Sequence, residues 1–223
     1  MEALTHSLEK HNQIIDECSD LTVKGVSYND SAIVLESLDS HQEAEERLLQ
    51  SIELAKSAGN QFSEACRRAN WAQFLVRQKK FMQAATQFEF SIGVLISTND
   101  YWDERWKNKD IAPLTPSEIA NSWFEKKWCA DIAVAYSLFL VRSDFDKSQA
   151  LVSLAEKIYL QIKEHSLAEG TSKFRVAMQH MGTSSGHLTA MAPQLMNSVS
   201  RTWFYSQCHG ARSRPLCVLR IFA

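Results

Sequence analysis

The sequence contains few residues that break regular secondary structure: 7 glycines and 4 prolines in 223 residues. An all-β protein needs many tight turns, and glycine and proline are the residues that most often make them. Hydrophobic residues make up 45% of the chain and charged residues 22%, which are ordinary values for a globular protein. The composition therefore predicts an all-α fold rather than a β-sheet protein or a disordered chain.

The sequence also lacks the motifs that usually mark catalytic, metal and cofactor sites. It has no Cys-x-x-Cys, no His-Glu-x-x-His, no glycine-rich phosphate loop and no Gly-x-Ser-x-Gly. Cys208-His209 with Cys217 is the closest approach to a zinc-binding cluster, and it lies in a segment without periodicity. We predict that the protein is not an enzyme and that it has no catalytic residue, no metal site and no cofactor.

The five cysteines are odd in number and scattered, which is typical of reduced thiols in a cytoplasmic protein. Cys66 and Cys129 lie in apolar helical patterns and are predicted to be small core residues. The first residues show neither the basic nor the apolar region of a secretory signal. The longest apolar stretch, residues 130–141, is too short to cross a membrane. We therefore expect a cytoplasmic protein with no membrane partner.

The net charge of −2 argues against a nucleic-acid partner. The charges are unevenly distributed, because residues 1–60 carry twelve acidic and four basic side chains, whereas residues 201–223 carry four arginines and no acid. Two interpretations stay open. The asymmetry either steers a partner protein or reflects solvated helix faces followed by a disordered tail.

Apolar residues recur at spacings of three, four and seven, which predicts helices joined by short turns. Gly59 is expected to end one helix in the left-handed conformation. The segment Leu114-Thr115-Pro116-Ser117-Glu118 is expected to begin another, with Thr115 as the cap and Glu118 completing a capping box. In the helix after Asp144, the inward face is predicted to hold Ala150, Leu154, Ile158 and Ile162. The predicted helices cover residues 1–20, 32–38, 41–57, 62–78, 81–96, 116–142, 145–164, 171–181 and 194–205.

An internal repeat links these helices. The motif Ala44-x3-Leu48-x2-Ser51-Ile52 recurs 40 residues later as Ala84-x3-Phe88-x2-Ser91-Ile92. A short phrase, Phe74-Leu75-Val76-Arg77, recurs as Phe139-Leu140-Val141-Arg142. A fixed period of this length is typical of helical pairs that stack to bury a continuous core.

The pattern resembles the tetratricopeptide repeat (TPR) in its long-period form of about 40 residues. Family positions of the central unit fall on Trp71, Ala72, Leu75, Phe81, Ala84, Phe88 and Ser91. The resemblance implies an α-solenoid of antiparallel helix pairs forming a right-handed superhelix, in which Phe81 and Phe88 fill the gap between pairs. The expected organisation is an N-terminal helix over residues 1–24, repeats over 25–165 with an aromatic-rich insertion at 101–128, and C-terminal helices with an irregular basic tail over 166–223.

The resemblance further implies a protein–protein interaction scaffold or adaptor, which binds a peptide or helix of another protein in its groove. Arg68, Gln73 and Arg77 on the inner helix, together with Trp102 and Trp106, are the candidate partner-binding residues. The tryptophans are either binding hot spots or core residues that fill the space made by the insertion. The alternative function is a structural subunit that is stable only within a larger complex and has no groove ligand.

Overall fold

The computed structural model describes residues 2–107 and 114–182, without the side chains of residues 106, 181 and 182. These residues form eight helices and no strand, so the prediction of an all-α protein is confirmed for them. Successive helices pack against each other. The helices are α1 (Glu2–Glu17), α2 (Leu21–Ser37), α3 (His41–Ser57), α4 (Gln61–Arg77), α5 (Phe81–Lys107), α6 (Pro116–Leu140), α7 (Phe145–Gln161) and α8 (His165–Gly182).

The described chain divides into two compact units within α5. The first unit contains α1 to α4 and the beginning of α5, up to Val94. The second unit begins at Leu95 and contains the rest of α5 with α6, α7 and α8.

The first unit has a regular local construction. Helices α2, α3 and α4 are each 17 residues long, and three-residue turns separate them from the next helix. Each turn carries a residue with positive φ: Asp39 at 61°, Gly59 at 65° and Lys79 at 60°. The residue after it donates its amide to a carbonyl five positions earlier, as Asn60 does to Ala55 at 3.0 Å. This is the Schellman ending of a helix, and it confirms the conformation predicted for Gly59.

The core of the first unit contains a cluster shared by three helices. Phe74 of α4 packs with Ala32 and Leu35 of α2 and with Ala44 and Leu48 of α3. The two alanines are almost fully buried, so the helices approach closely and a single phenyl ring fills the space between them. We refer to these five residues as the three-helix cluster.

Helix α6 has buried residues distributed around much of its circumference, which is typical of a helix in the middle of a core. Its N-terminus is the predicted capping box. Thr115 Oγ1 accepts a hydrogen bond from Glu118 N at 3.2 Å, and the Glu118 carboxylate accepts one from Thr115 N at 2.8 Å. Thr115 Oγ1 also donates to the Glu118 carboxylate at 2.9 Å, and the two bonds that this carboxylate accepts from Thr115 hold the pKa of Glu118 below its ordinary value. The predictions that Cys66 and Cys129 are buried are also confirmed.

The predicted start of α2 and the predicted end of α5 are wrong. The segment before Ala32 is helical, because α2 begins at Leu21 after Asp20, whose carboxylate accepts hydrogen bonds from Thr22 N and Val23 N. The 24/25 boundary of the expected organisation therefore falls inside α2. Helix α5 does not end near Asn99 but continues to Lys107, and the buried side chain of Asn99 accepts a hydrogen bond from Lys126 on α6 instead of ending the helix.

The aromatic-rich insertion is consequently helical on both sides of residues 108–113. Residues 101–107 belong to α5, and residues 116–128 belong to α6. Helix α8 also begins earlier than predicted, at His165, and it continues through Gly170, whose Cα faces open space.

The predicted faces need two further corrections. Ala150 is exposed, because the buried face of α7 is rotated and holds Ser148, Val152, Ala155 and other residues. Phe81 is 53% exposed and does not fill a gap between pairs, whereas Phe88 is 1% exposed. The predicted helix at 194–205 and the basic tail lie outside the described residues.

Candidate functional site

Two pairs of polar side chains connect α2 with α4 at a constant separation of 41 residues. Asn70 Nδ2 donates a hydrogen bond to Asn29 Oδ1 at 2.8 Å. Two turns further along α4, Arg77 holds the Glu36 carboxylate with both Nε and Nη2, at 2.5 and 2.7 Å. The planar guanidinium and the carboxylate match in geometry, which makes this the more specific of the two contacts. We call this surface the α2–α4 ladder.

Gln73 lies on α4 between these two pairs, one turn from each. Its Nε2 is buried, yet it has no hydrogen-bond partner among the described residues. A buried donor without a partner costs about 1–3 kcal/mol, so such groups usually bond to ordered water or to a bound molecule. The ladder thus contains one unsatisfied donor between two satisfied pairs.

A buried cation lies on α4 one turn before Asn70. Arg67 is 5% exposed, and its Nη1 donates to the backbone carbonyl of Ser51 on α3 at 2.8 Å. Its Nη2 donates to the carbonyl of Thr22 on α2 at 3.4 Å. The guanidinium lies directly over Gly25, where a Cβ would be only 2.6 Å from Nη1. This close approach explains the glycine within α2, despite its poor helix propensity.

Asp30 neighbours both Arg67 and α1. Burial raises the pKa of the Asp30 carboxyl above its ordinary value, whereas the hydrogen bond from Asn29 Nδ2 and the charges of His11 and Arg67 oppose this shift. The largest cause is the removal of the carboxylate from water. Burial likewise lowers the pKa of Arg67. The charges in this region are thus held at a cost to the folded state.

Replacing Asp30 by asparagine is expected to flatten the pH dependence of the stability of the first unit. Because the folded carboxyl binds its proton more tightly than the unfolded one, the wild-type contribution is most favourable below about pH 4. That contribution is lost as pH rises through the raised folded pKa, by at most about 1.4 kcal/mol per pH unit. Urea denaturation between pH 4 and pH 8 should show an advantage of Asp30→Asn that grows with pH. A variant that becomes less stable relative to wild type as pH rises would contradict this sign.

The second unit contains a buried lysine. Lys126 of α6 is 4% exposed, and its Nζ forms an ion pair with Asp103 of α5. The same Nζ donates to Asn99 Oδ1 at 3.2 Å and to Gln161 Oε1 of α7 at 3.4 Å. One ammonium group therefore bonds to side chains of two further helices and uses three donors, the number that lysine has.

A second buried charge lies one turn further along α6. Asp131 accepts a hydrogen bond from Tyr159 Oη at 2.6 Å and one from Lys127 Nζ at 2.8 Å. Burial and the neighbouring Asp131 raise the pKa of Tyr159 well above its ordinary value. Burial also raises the pKa of the Cys129 thiol to about 12, so this thiol is protonated near neutral pH and is a poor nucleophile. Asp131 thus bonds to Lys127 on its own helix and to Tyr159 on α7, which indicates that this network specifies how α6 and α7 pack.

The residues predicted from the sequence to bind a partner have different environments. Arg68 pairs with Glu64 at 2.7 Å, lies over the ring of Phe90 at 4.5 Å and is only partly exposed. Arg77 and Gln73 belong to the α2–α4 ladder.

Two tryptophans completed the predicted partner-binding set. Trp102 is 6% exposed and its Nε1 donates to Glu125 at 2.6 Å, so it packs between α5 and α6 and presents little surface to a partner. Trp106 lies in α5, and its side chain is outside the described part.

Sequence reasoning missed Asn29, Glu36 and Asn70 as parts of this surface. The repeat alignment has an offset of 40 residues and makes Ala69 the position equivalent to Asn29. The observed hydrogen-bonded pairs are 41 residues apart. Only the way α2 and α4 pack brings these side chains together. The one signal in the sequence is the recurrence of polar residues on the same side of both helices.

In comparisons with known proteins, the chain matches no family model, no curated protein and no solved structure. The fold places it among all-α proteins made of successively packed helices. Within residues 2–107 and 114–182, no helix combines the length and the apolar character that a membrane crossing requires. The same residues contain no group of three or more side chains suited to hold a metal ion.

Proposed function

We propose that this protein is an interaction scaffold built from TPR-like helix pairs, and that the α2–α4 ladder binds a peptide or helix of a partner protein. The buried, unpartnered Nε2 of Gln73 carries the proposal. On binding, the partly exposed side chain of Gln73 would turn so that its Nε2 meets a backbone carbonyl of the bound segment, which is the kind of acceptor that this donor lacks. One turn further along α4, the exposed side chain of Arg77 supplies a further polar group that would fix the register of the segment.

The regular helix pairs support the scaffold part of the proposal. Equal helices joined by equal turns at Asp39, Gly59 and Lys79 are what a stacked, right-handed α-solenoid requires. Cys18, Cys66 and Cys129 form no disulfide among the described residues, which fits a protein that works in the reducing cytoplasm.

Replacing Gln73 by leucine is expected to separate stability from binding. Leucine has a similar volume and no polar atom, so the variant should be more stable by about 1 kcal/mol. Capture of the partner from cell lysate by the full chain, quantified by mass spectrometry, should fall at least tenfold, about 1.4 kcal/mol of binding free energy.

Gln83→Leu is the matched control, because Gln83 is an exposed glutamine on α5. It should leave the captured set unchanged. The proposal is wrong if Gln73→Leu captures the same proteins in the same amounts as the wild type. A large loss of stability in Gln73→Leu would show instead that the amide has a structural role.

A structural subunit of a larger complex is the second candidate function. The observation that favours it is an exposed apolar face on α6, where Ile119, Trp123 and Phe124 are 46%, 40% and 36% exposed. Large apolar side chains grouped at a surface often mark a protein interface. In this case Trp123→Ser would release the captured protein and Gln73→Leu would not.

A further inference from the structure

Helix α1 is attached to the first unit by a stripe of side chains with apolar ends and a polar centre. Ile15 is buried at one end, and Leu8 packs against the three-helix cluster. His11 and Asn12 lie between these two contacts. The partly or fully buried positions recur every three or four residues: Leu4, Ser7, Leu8, His11, Asn12 and Ile15.

The polar centre of this stripe is poorly satisfied. His11 Nδ1 and Asn12 Oδ1 are buried and have no hydrogen-bond partner in the described chain. Trp71 of α4 also packs against the three-helix cluster, and its Nε1 is likewise buried without a partner. The two unpartnered atoms of α1 cost free energy while the helix is docked and recover it in water, so the docked position of α1 is less favourable than its apolar contacts suggest.

The connection from α1 to α2 differs from the next three turns. The turns at Asp39, Gly59 and Lys79 each hold a residue with positive φ, whereas no residue from 18 to 20 does. Helix α2 is also capped by its own Asp20, which bonds to Thr22 N at 2.7 Å. Because neither the cap of α2 nor its first turn uses a group from α1, α1 can leave without unravelling α2.

We propose that α1 is an exchangeable helix, and that an amphipathic helix of a partner protein takes its place against α2 and the three-helix cluster. This inference rests on the proposed scaffold function and names the partner class and its regulation. The incoming helix would carry apolar residues at the positions of Leu8 and Ile15. An apolar side chain at the position of Asn12 would avoid the unpartnered oxygen and make the incoming helix bind more tightly than α1 does.

The test uses the full chain and a fluorescent peptide of residues 2–17 as the probe. In the wild type the tethered α1 competes with the peptide at a high effective concentration, so little peptide should bind. Leu8→Asp removes the apolar contact of α1, and fluorescence anisotropy should show at least tenfold tighter peptide binding than to the wild type. Lys10→Asp is the matched control, because it places the same carboxylate on the exposed side of α1.

Hydrogen exchange distinguishes release of α1 from unfolding. In Leu8→Asp the amides of α1 should exchange faster, while those of α2 and α3 stay protected. Asn12→Leu should have the opposite effect and slow exchange in α1, because it removes the unpartnered oxygen and leaves His11 in place beside Asp30. Protected α1 amides in Leu8→Asp, loss of protection in α2 and α3, or equal peptide binding by both chains would each overturn the proposal. None of these results depends on the Gln73 experiment, so a scaffold with a fixed α1 would still be recognised.

Discussion

Replacing Lys126 by alanine is expected to lower the free energy of unfolding of the second unit by about 3 kcal/mol or more. The lysine is 4% exposed and bonds to side chains of α5 and α7 at once. Without it, the carboxylate of Asp103 loses its counter-ion and Asn99 Oδ1 loses its donor. Removing one partner of a buried pair leaves the other partner desolvated and unpaired, which costs more than the pair itself contributes.

The measurement is hydrogen exchange of α6 and α7 together with urea denaturation. Lys173→Ala is the matched control, since Lys173 also pairs with a carboxylate, Glu169, at 2.6 Å, but is 75% exposed. Exposed pairs of this kind contribute little to stability, so this variant should be nearly neutral. If the two substitutions lower the free energy of unfolding by the same amount, burial is not the cause of the effect at Lys126.

Features set by a few neighbouring residues could be predicted from the sequence. Helix α3 was predicted with its observed bounds, and the starts of α5, α6 and α7 were also correct. The capping box at Thr115 and the left-handed Gly59 follow from side chains within three or four positions of each other. Local chemistry of this kind needs no knowledge of the rest of the fold.

Features set by contacts between distant residues could not be predicted in this way. Asn99 resembles a helix end, yet α5 continues past it because Lys126, 27 positions later, bonds with its side chain. The same holds for Asn29 and Asn70, whose pairing depends on how α2 and α4 pack. Gln73 was predicted from the sequence to bind a partner. The lack of a hydrogen-bond partner for its Nε2 could not be predicted, because it depends on how the side chains of α2 and α4 pair on either side of it.

Removing the phenyl ring of Phe74 should have the largest effect in the first unit. Phe74 is 1% exposed and packs with α2 and α3 in the three-helix cluster. Its neighbours Ala32 and Ala44 are too small to fill the space left by Phe74→Ala, so a cavity remains and we expect a loss of about 3–5 kcal/mol. Phe81→Ala removes the same atoms from a side chain that is 53% exposed, and it should cost less than about 1 kcal/mol. Because the chemistry of the two substitutions is identical, the difference in urea midpoint between them isolates burial as the cause. A loss at Phe81 equal to that at Phe74 would mean that this exposed ring contributes to the packing of the first unit in solution, as the repeat pattern originally predicted.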